Sequence, residues 1–179
     1  THFANTHGLH DDNHYTTAHD IYLFARQAMT NDTFRDIVST QYYRVPATNL
    51  SGERLFYSTN ALLVTWYYHE SYIYDRAIGI KTGTTDEGGH CLLSAAEDGE
   101  RYLICVVLNA QQVAKEDGST DHRQFSESRR LLQWGFSNFQ RQAIVDTETP
   151  VDQVEVTLSE VDHVLVRPGQ QLERTLPVD

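Results

Sequence analysis

Residues 79–85 read Gly-Ile-Lys-Thr-Gly-Thr-Thr, in a chain of 179 residues that has just one other lysine, Lys115. A cation, two hydroxyls and a glycine at the end of a short apolar run can receive an extended, anionic ligand. Lys81 supplies the positive field that a carboxylate needs. Thr82 and Thr84 can donate hydrogen bonds to it. Gly83 has no side chain, so a ligand backbone can approach closely. The N–H of Thr84 can point at a carbonyl oxygen as an oxyanion donor. A bare Lys-Thr-Gly is also what a solvated strand end looks like, so the weight rests on its setting.

That setting needs a strand, and the surrounding pattern supplies one. Asp75–Thr85 reads as a strand that ends in the turn Asp86-Glu87-Gly88-Gly89. Two apolar runs, 90–96 and 101–110, flank Asp98-Gly99, a strong short-range hairpin signal. An antiparallel sheet follows, with the Lys81 strand expected at an edge, where an extended peptide can add as a further strand. Upstream, Thr17 with Asp20 three residues later resembles a capping box, and Ile21, Phe24, Ala25 and Ala28 recur at helical spacing. Asn31 or Thr33 can cap a second helix through Val38. Residues 41–48 and 54–63 read as extended segments around a turn at Ser51-Gly52, and 111–121 as a polar loop. A long helix is expected over Asp121–Phe139, with Phe125, Leu132, Phe136 and Phe139 on one face. Composition changes near 147–150, and the remainder alternates apolar and polar residues as half-buried strands do. The reading is an α/β (α+β) chain, with 1–142 as one domain's portion and 143–179 as the start of a β-rich domain.

The formal charge of −11 argues against nucleic acid as a partner and against a polybasic membrane patch. No apolar run approaches the roughly 20 residues that span a bilayer, so a membrane anchor could lie only outside this segment. Thr1 at the start and the lack of a leader point to a piece of a longer product. His10, His14 and His19 have spacing that could suit zinc, but no cysteine is near them, and neither metal nor cofactor is expected. Trp66, Tyr67, Tyr68, Tyr72 and Tyr74 read as a sheet face or rim contact rather than a ligand platform. Cys91 and Cys105 are expected as buried free thiols.

The Lys-Thr-Gly strand, together with residues 1–29, 78–110 and 126–139, resembles the D-alanyl-D-alanine carboxypeptidases, low-molecular-mass members of the penicillin-binding and serine β-lactamase superfamily. The likeness runs from residue 1 to about 142. It implies an antiparallel sheet with flanking helices, as in the penicillin-binding/serine β-lactamase fold. It also implies removal of the terminal D-Ala from peptidoglycan stem peptides through an acyl-serine, with β-lactams as acylating agents, outside the cytoplasmic membrane. By the same resemblance Lys81, Thr82, Gly83 and Thr84 bind substrate, and Lys81 and Thr84 take part in catalysis. Arg123 is the nearest candidate for an arginine that faces the substrate carboxylate. The family's nucleophile sits in Ser-x-x-Lys, a spacing that lets the amine take the serine proton. Here Ile78 and Gln112 stand three residues before the two lysines, so the motif is absent. Ser58-Thr59-Asn60 imitates a second family box but lies too close to the Lys81 strand to be it. The chain therefore reads as one wall of a serine peptidase site. The alternatives are a non-catalytic wall-binding or structural module, or a β-lactamase or transpeptidase relative.

Overall fold

The computed structural model describes residues 1–68 and 72–178. Helices α1 (Ala18–Ala28) and α2 (Asp32–Ser39) come first, then strands β1 (Tyr42–Val45) and β2 (Arg54–Tyr57). The central run is β3 (Ala77–Thr85), β4 (Gly89–Asp98) and β5 (Arg101–Ala110). After it come β6 (Gln112–Ala114), β7 (Thr120–His122), α3 (Arg123–Asn138), β8 (Phe139–Val145), β9 (Asp152–Glu155), β10 (His163–Val166) and β11 (Leu172–Pro177). All described strand pairs are antiparallel. This is the expected mixture of helices and antiparallel sheet.

Two compact units make up the chain, Thr1–Gly135 and Phe136–Asp179. The first is built on a three-stranded sheet in the order β3-β4-β5, which leaves β3 outermost. Successive strand residues point to opposite faces. Ile104 packs with Ala25, Met29 and Ala95 in a core beneath the first two helices. Its neighbour Leu103 instead meets Gly135 of α3. The alternation therefore puts α1 and α2 on one face of the sheet and α3 on the other.

Local chemistry explains where the helices begin. The Thr17 side chain accepts from the Asp20 N–H, and Asn31 does the same for Phe34. Each cap satisfies one donor that the helix leaves unpaired. The capping box at α1 is only half made, because the Asp20 carboxylate accepts from the Thr1 hydroxyl instead. Arg35 carries α2 onto the sheet through a 2.6 Å ion pair with Glu97. The β4–β5 hairpin closes where Asp98 pairs with Arg101. Gly99 takes the first loop position at φ +62°, a conformation that costs glycine nothing.

Several expectations need correction. Residues 112–122 are not a plain polar loop, since β6 and β7 pair as a short hairpin. Its strands are three residues each, too short for an apolar–polar alternation to show. Helix α3 stops at Asn138, and Phe139 opens β8. Only 54–57 of the second extended segment is strand, and Asn60–Leu63 turns instead. None of Trp66, Tyr67, Tyr68, Tyr72 or Tyr74 lies in a strand. Tyr72 and Tyr74 are buried in the segment that leads to β3, whereas Trp66 stacks on Tyr57 and remains half exposed. His69, Glu70 and Ser71 lie outside the described residues. Cys91 and Cys105 are free thiols, but only Cys105 is buried.

In the second unit, β8 pairs with β11 and β9 with β10. Arg141 forms an ion pair with Glu173 across the first of these ladders. The composition change at 147–150 falls in the connection between β8 and β9.

Candidate substrate-binding site

A cavity of about 320 Å³ opens beside the outer strand, lined by Thr59, Tyr68, residues 81–84, Cys91, Gln124 and Phe125. The structure thus brings Lys81, Thr82, Gly83 and Thr84 to one cavity. It does not bring Arg123 there: that residue is exposed at the first position of α3 and is not among the lining residues. Lys81 alone carries charge among the described lining residues.

Strand β3 sets the directions of these groups. Lys81 and Gly83 share one face, and Thr82 and Thr84 the other. Gly83 stands opposite Cys91 on β4, and nothing lies within 4 Å of where its Cβ would be. The Lys81 ammonium is exposed and donates to its neighbour's carbonyl, Thr82 O, at 2.5 Å. The Thr82 hydroxyl is 2.6 Å from that of Thr59, and the Thr84 hydroxyl is 3.2 Å from His90 Nδ1. A hydroxyl offers one donor and two acceptor positions. Each of these two therefore keeps hydrogen-bonding capacity beyond its internal partner.

The loop before the strand covers the near half of the edge. Asn60 is buried; its Nδ2 donates to Gly79 O at 3.0 Å, and its Oδ1 accepts from the Leu62 N–H at 3.0 Å. Ser58 Oγ accepts from the Asn60 N–H at 3.2 Å. The polar atoms of Ser58-Thr59-Asn60 are thus engaged in holding a turn against β3.

Behind the cavity, Tyr72 fixes the start of α3. Its hydroxyl accepts from the His122 N–H at 2.8 Å and donates to Asp121 Oδ1 at 3.2 Å. The His122 ring meets Tyr68 edge-on at 4.8 Å between centroids. Burial holds the His122 imidazole below its ordinary pKa, nearby His90 lowers it further, and Asp121 opposes both. Burial also pushes the Tyr72 phenol upward.

Gln124 escaped the sequence reading, as did the pairing of Thr59 with Thr82, and Tyr68, read there as a sheet face or rim contact rather than a ligand platform, lines the cavity. Gln124 carries no motif, and its only signal is a polar residue next to Phe125 on the face that α3 buries. The histidines weighed for zinc have separate partners: His10 lies by Asp12 and Glu87, and His14 Nδ1 accepts from the Ala4 N–H. Among the described residues, no three His, Cys, Asp or Glu side chains gather as a metal site would require.

Comparison with known proteins agrees with this geometry. A family profile described as D-alanyl-D-alanine carboxypeptidase matches residues 1–112. The D-alanyl-D-alanine carboxypeptidase of Streptomyces sp. strain K15 is 28% identical over 141 residues, covering 76% of this chain and 43% of the relative. D-alanyl-D-alanine carboxypeptidase DacA of Escherichia coli strain K12 is 34% identical over 142 residues, covering 78% of this chain and 30% of the relative. Among solved structures, a mutant of the Streptomyces K15 DD-transpeptidase is 29% identical with a TM-score of 0.61, covering 76% of this chain and 48% of that one. Penicillin binding protein 5 from Haemophilus influenzae is 25% identical with a TM-score of 0.60, covering 96% and 44% respectively. The chain spans less than half the length of these relatives. The fold is that of the penicillin-binding and serine β-lactamase class. Within that class, the chain belongs to the D-alanyl-D-alanine carboxypeptidase family.

Proposed function

We propose that this chain forms the substrate-binding wall of a serine-type D-Ala-D-Ala carboxypeptidase that works outside the cytoplasmic membrane. The enzyme removes the terminal D-Ala from peptidoglycan stem peptides and is acylated by β-lactams. Residues 1–142 are the C-terminal part of the peptidase domain, and 143–179 begin a β-strand domain. The observation that carries the reading is the outermost strand β3, which presents Lys81, Thr82, Gly83 and Thr84 to one cavity with open space above Gly83. An extended peptide can lie along that edge by strand addition.

In this reading Lys81 and the Thr82 and Thr84 hydroxyls hold the substrate carboxylate. The Thr84 N–H donates to the scissile carbonyl oxygen as negative charge develops on it, where a preorganised donor stabilises the transition state most. A serine hydroxyl attacks that carbonyl, the C–N bond breaks, and D-alanine leaves as the protonated amine. Water then releases the acyl group from the serine. The serine and its lysine partner are not among these residues, which contain no Ser-x-x-Lys.

Two proteins test the reading: residues 1–179 alone, and the chain extended upstream to include a Ser-x-x-Lys. The first should take no covalent label from a fluorescent penicillin and release no D-Ala from a D-Ala-D-Ala peptide, because acyl transfer needs a nucleophile within reach of its base. The second should do both. Stoichiometric label on residues 1–179 alone, mapped to Ser58 or another residue, would overturn this account. Silence in both proteins would favour a non-catalytic wall-binding module.

A further inference from the structure

A second and larger cavity, of about 690 Å³, lies between α2, the β1–β2 hairpin and β3. It shares Thr59, Lys81 and Thr82 with the cavity beside the outer strand, so the two spaces adjoin along that edge. Its lining is rich in rings, with Tyr42 and Tyr43 from β1 and Phe56 and Tyr57 from β2. Tyr42 and Tyr57 meet across the hairpin at 6.4 Å between centroids, and Tyr57 stacks on Trp66 at 5.0 Å. Trp66 Nε1 donates to Ser58 O at 3.2 Å, which fixes the indole. From Trp66 the contacts continue to Tyr67 at 5.5 Å and from there to Tyr68 at 4.9 Å, and Tyr68 lines the substrate cavity. Five rings thus form an unbroken track from the hairpin to that cavity. More than half of the surface of Tyr42, Trp66 and Tyr67 stays exposed. Rings that serve stability alone are covered, whereas these are held in place and left open.

We propose that this groove and its ring track bind a neutral chain of N-acetylated pyranose sugars, the glycan to which stem peptides are attached. A pyranose presents C–H bonds on its faces and hydroxyls around its edge. The C–H face settles on the electron-rich face of an aromatic ring, and the hydroxyls need hydrogen-bond partners at the margin. Asp36, Thr40 and Ser58 line the same groove and supply a carboxylate and two hydroxyls there. Charge narrows the choice of ligand. Among the described lining residues only Asp36 and Lys81 are ionic, and their charges cancel, which suits a neutral ligand. The track is built of tyrosine and tryptophan, rings with a polar handle, which suits a polyhydroxylated ligand better than an acyl chain. That the sugar is the peptidoglycan glycan rests on the carboxypeptidase reading above. The track ends at the cavity that holds Lys81 and Thr84, so a strand lying on the rings keeps its stem peptides beside them.

The test uses the full-length enzyme and two substrates that differ only in the glycan: a free stem peptide ending in D-Ala-D-Ala, and the same peptide on a short N-acetylated glycan chain. The ratio of their kcat/KM values on one preparation does not depend on the fraction folded. The glycan-linked peptide should be preferred by about tenfold or more, the worth of an aromatic anchor. Trp66→Ala and Tyr57→Ala should each pull the ratio toward one. Leu50→Ala, in the exposed loop that joins β1 to β2, should leave it unchanged. Calorimetry with N-acetylchitotetraose gives a readout without catalysis: the parent should bind it, and Trp66→Ala should not. An enzyme that cleaves both peptides equally well and ignores the oligosaccharide overturns this assignment alone. So does one whose ring variants lose binding to phosphatidylcholine vesicles, or self-association in sedimentation, in place of binding to the oligosaccharide. An enzyme that binds the oligosaccharide through these rings but cleaves neither peptide overturns the carboxypeptidase reading and supports the sugar groove by itself.

Discussion

Lys81 is exposed, and its one described hydrogen bond is to its neighbour's carbonyl. Truncating such a side chain seldom costs folding more than about 1 kcal/mol. A charge that acts on the transition state is worth far more in rate. In the full-length enzyme, Lys81→Ala should slow β-lactam acylation by about 100-fold or more and leave the melting temperature almost unchanged. Melting curves and acylation rates on the same samples check this; a large fall in melting temperature with unchanged acylation would make Lys81 structural. His122 makes a different prediction. Its folded pKa lies below the unfolded value because its surroundings disfavour the charged ring. The stability from keeping it neutral is therefore fully present above the unfolded pKa of about 6.5 and is lost as pH falls through the folded value. Melting temperatures of the parent and of His122→Phe, taken from pH 7.5 down to 5, should converge at the acid end. Parallel curves would remove His122 from the acid response. The Lys-Thr-Gly-Thr part of the site is legible because four adjacent residues carry it. Thr59, Tyr68 and Gln124 are not, because they reach the cavity from 22, 13 and 43 positions away from Lys81.

Helix α3 meets the sheet at close range through Gly135. A Cβ there would come within 2.7 Å of Leu103 Cδ1 on β5. Gly135→Val should therefore destabilise the protein by about 1–3 kcal/mol despite replacing a helix-breaking glycine, since overpacking outweighs propensity. Adding Leu103→Ala should recover part of the loss, which denaturant titration of the single and double variants would measure. If the double variant is no more stable than Gly135→Val, the two side chains do not compete for this space. Elements whose ends carry their own chemistry were readable: Thr17 and Asn31 at the helix starts, and Asp98-Gly99 at the β4–β5 turn. Those settled by distant partners were not. The β6–β7 hairpin has only three residues in each strand, too few for an alternation to show, and the segment after Tyr57 bends because Asn60 finds Gly79. Phe139 leaves the helix for a strand whose partner, Pro177, comes 38 residues later.

At the scale of the molecule, one unit holds the whole of the cavity lining and the other none of it. The full fold depends on pairings such as β8 with β11, which no local pattern announces. The position of β3 has a further consequence. A strand left outermost so that a peptide can join it is equally available to a second copy of itself, and proteins commonly guard such edges with a charge, often lysine. Beyond Gly79, where Asn60 covers the rim, Lys81 is the one ionic side chain on β3. If Lys81 holds a carboxylate as proposed, the same charge should also keep the protein from polymerising edge to edge. Replacing it with valine should make concentrated solutions cloud faster on mild heating, whereas arginine should preserve clarity. Equal light-scattering onset for the two variants would confine Lys81 to ligand binding.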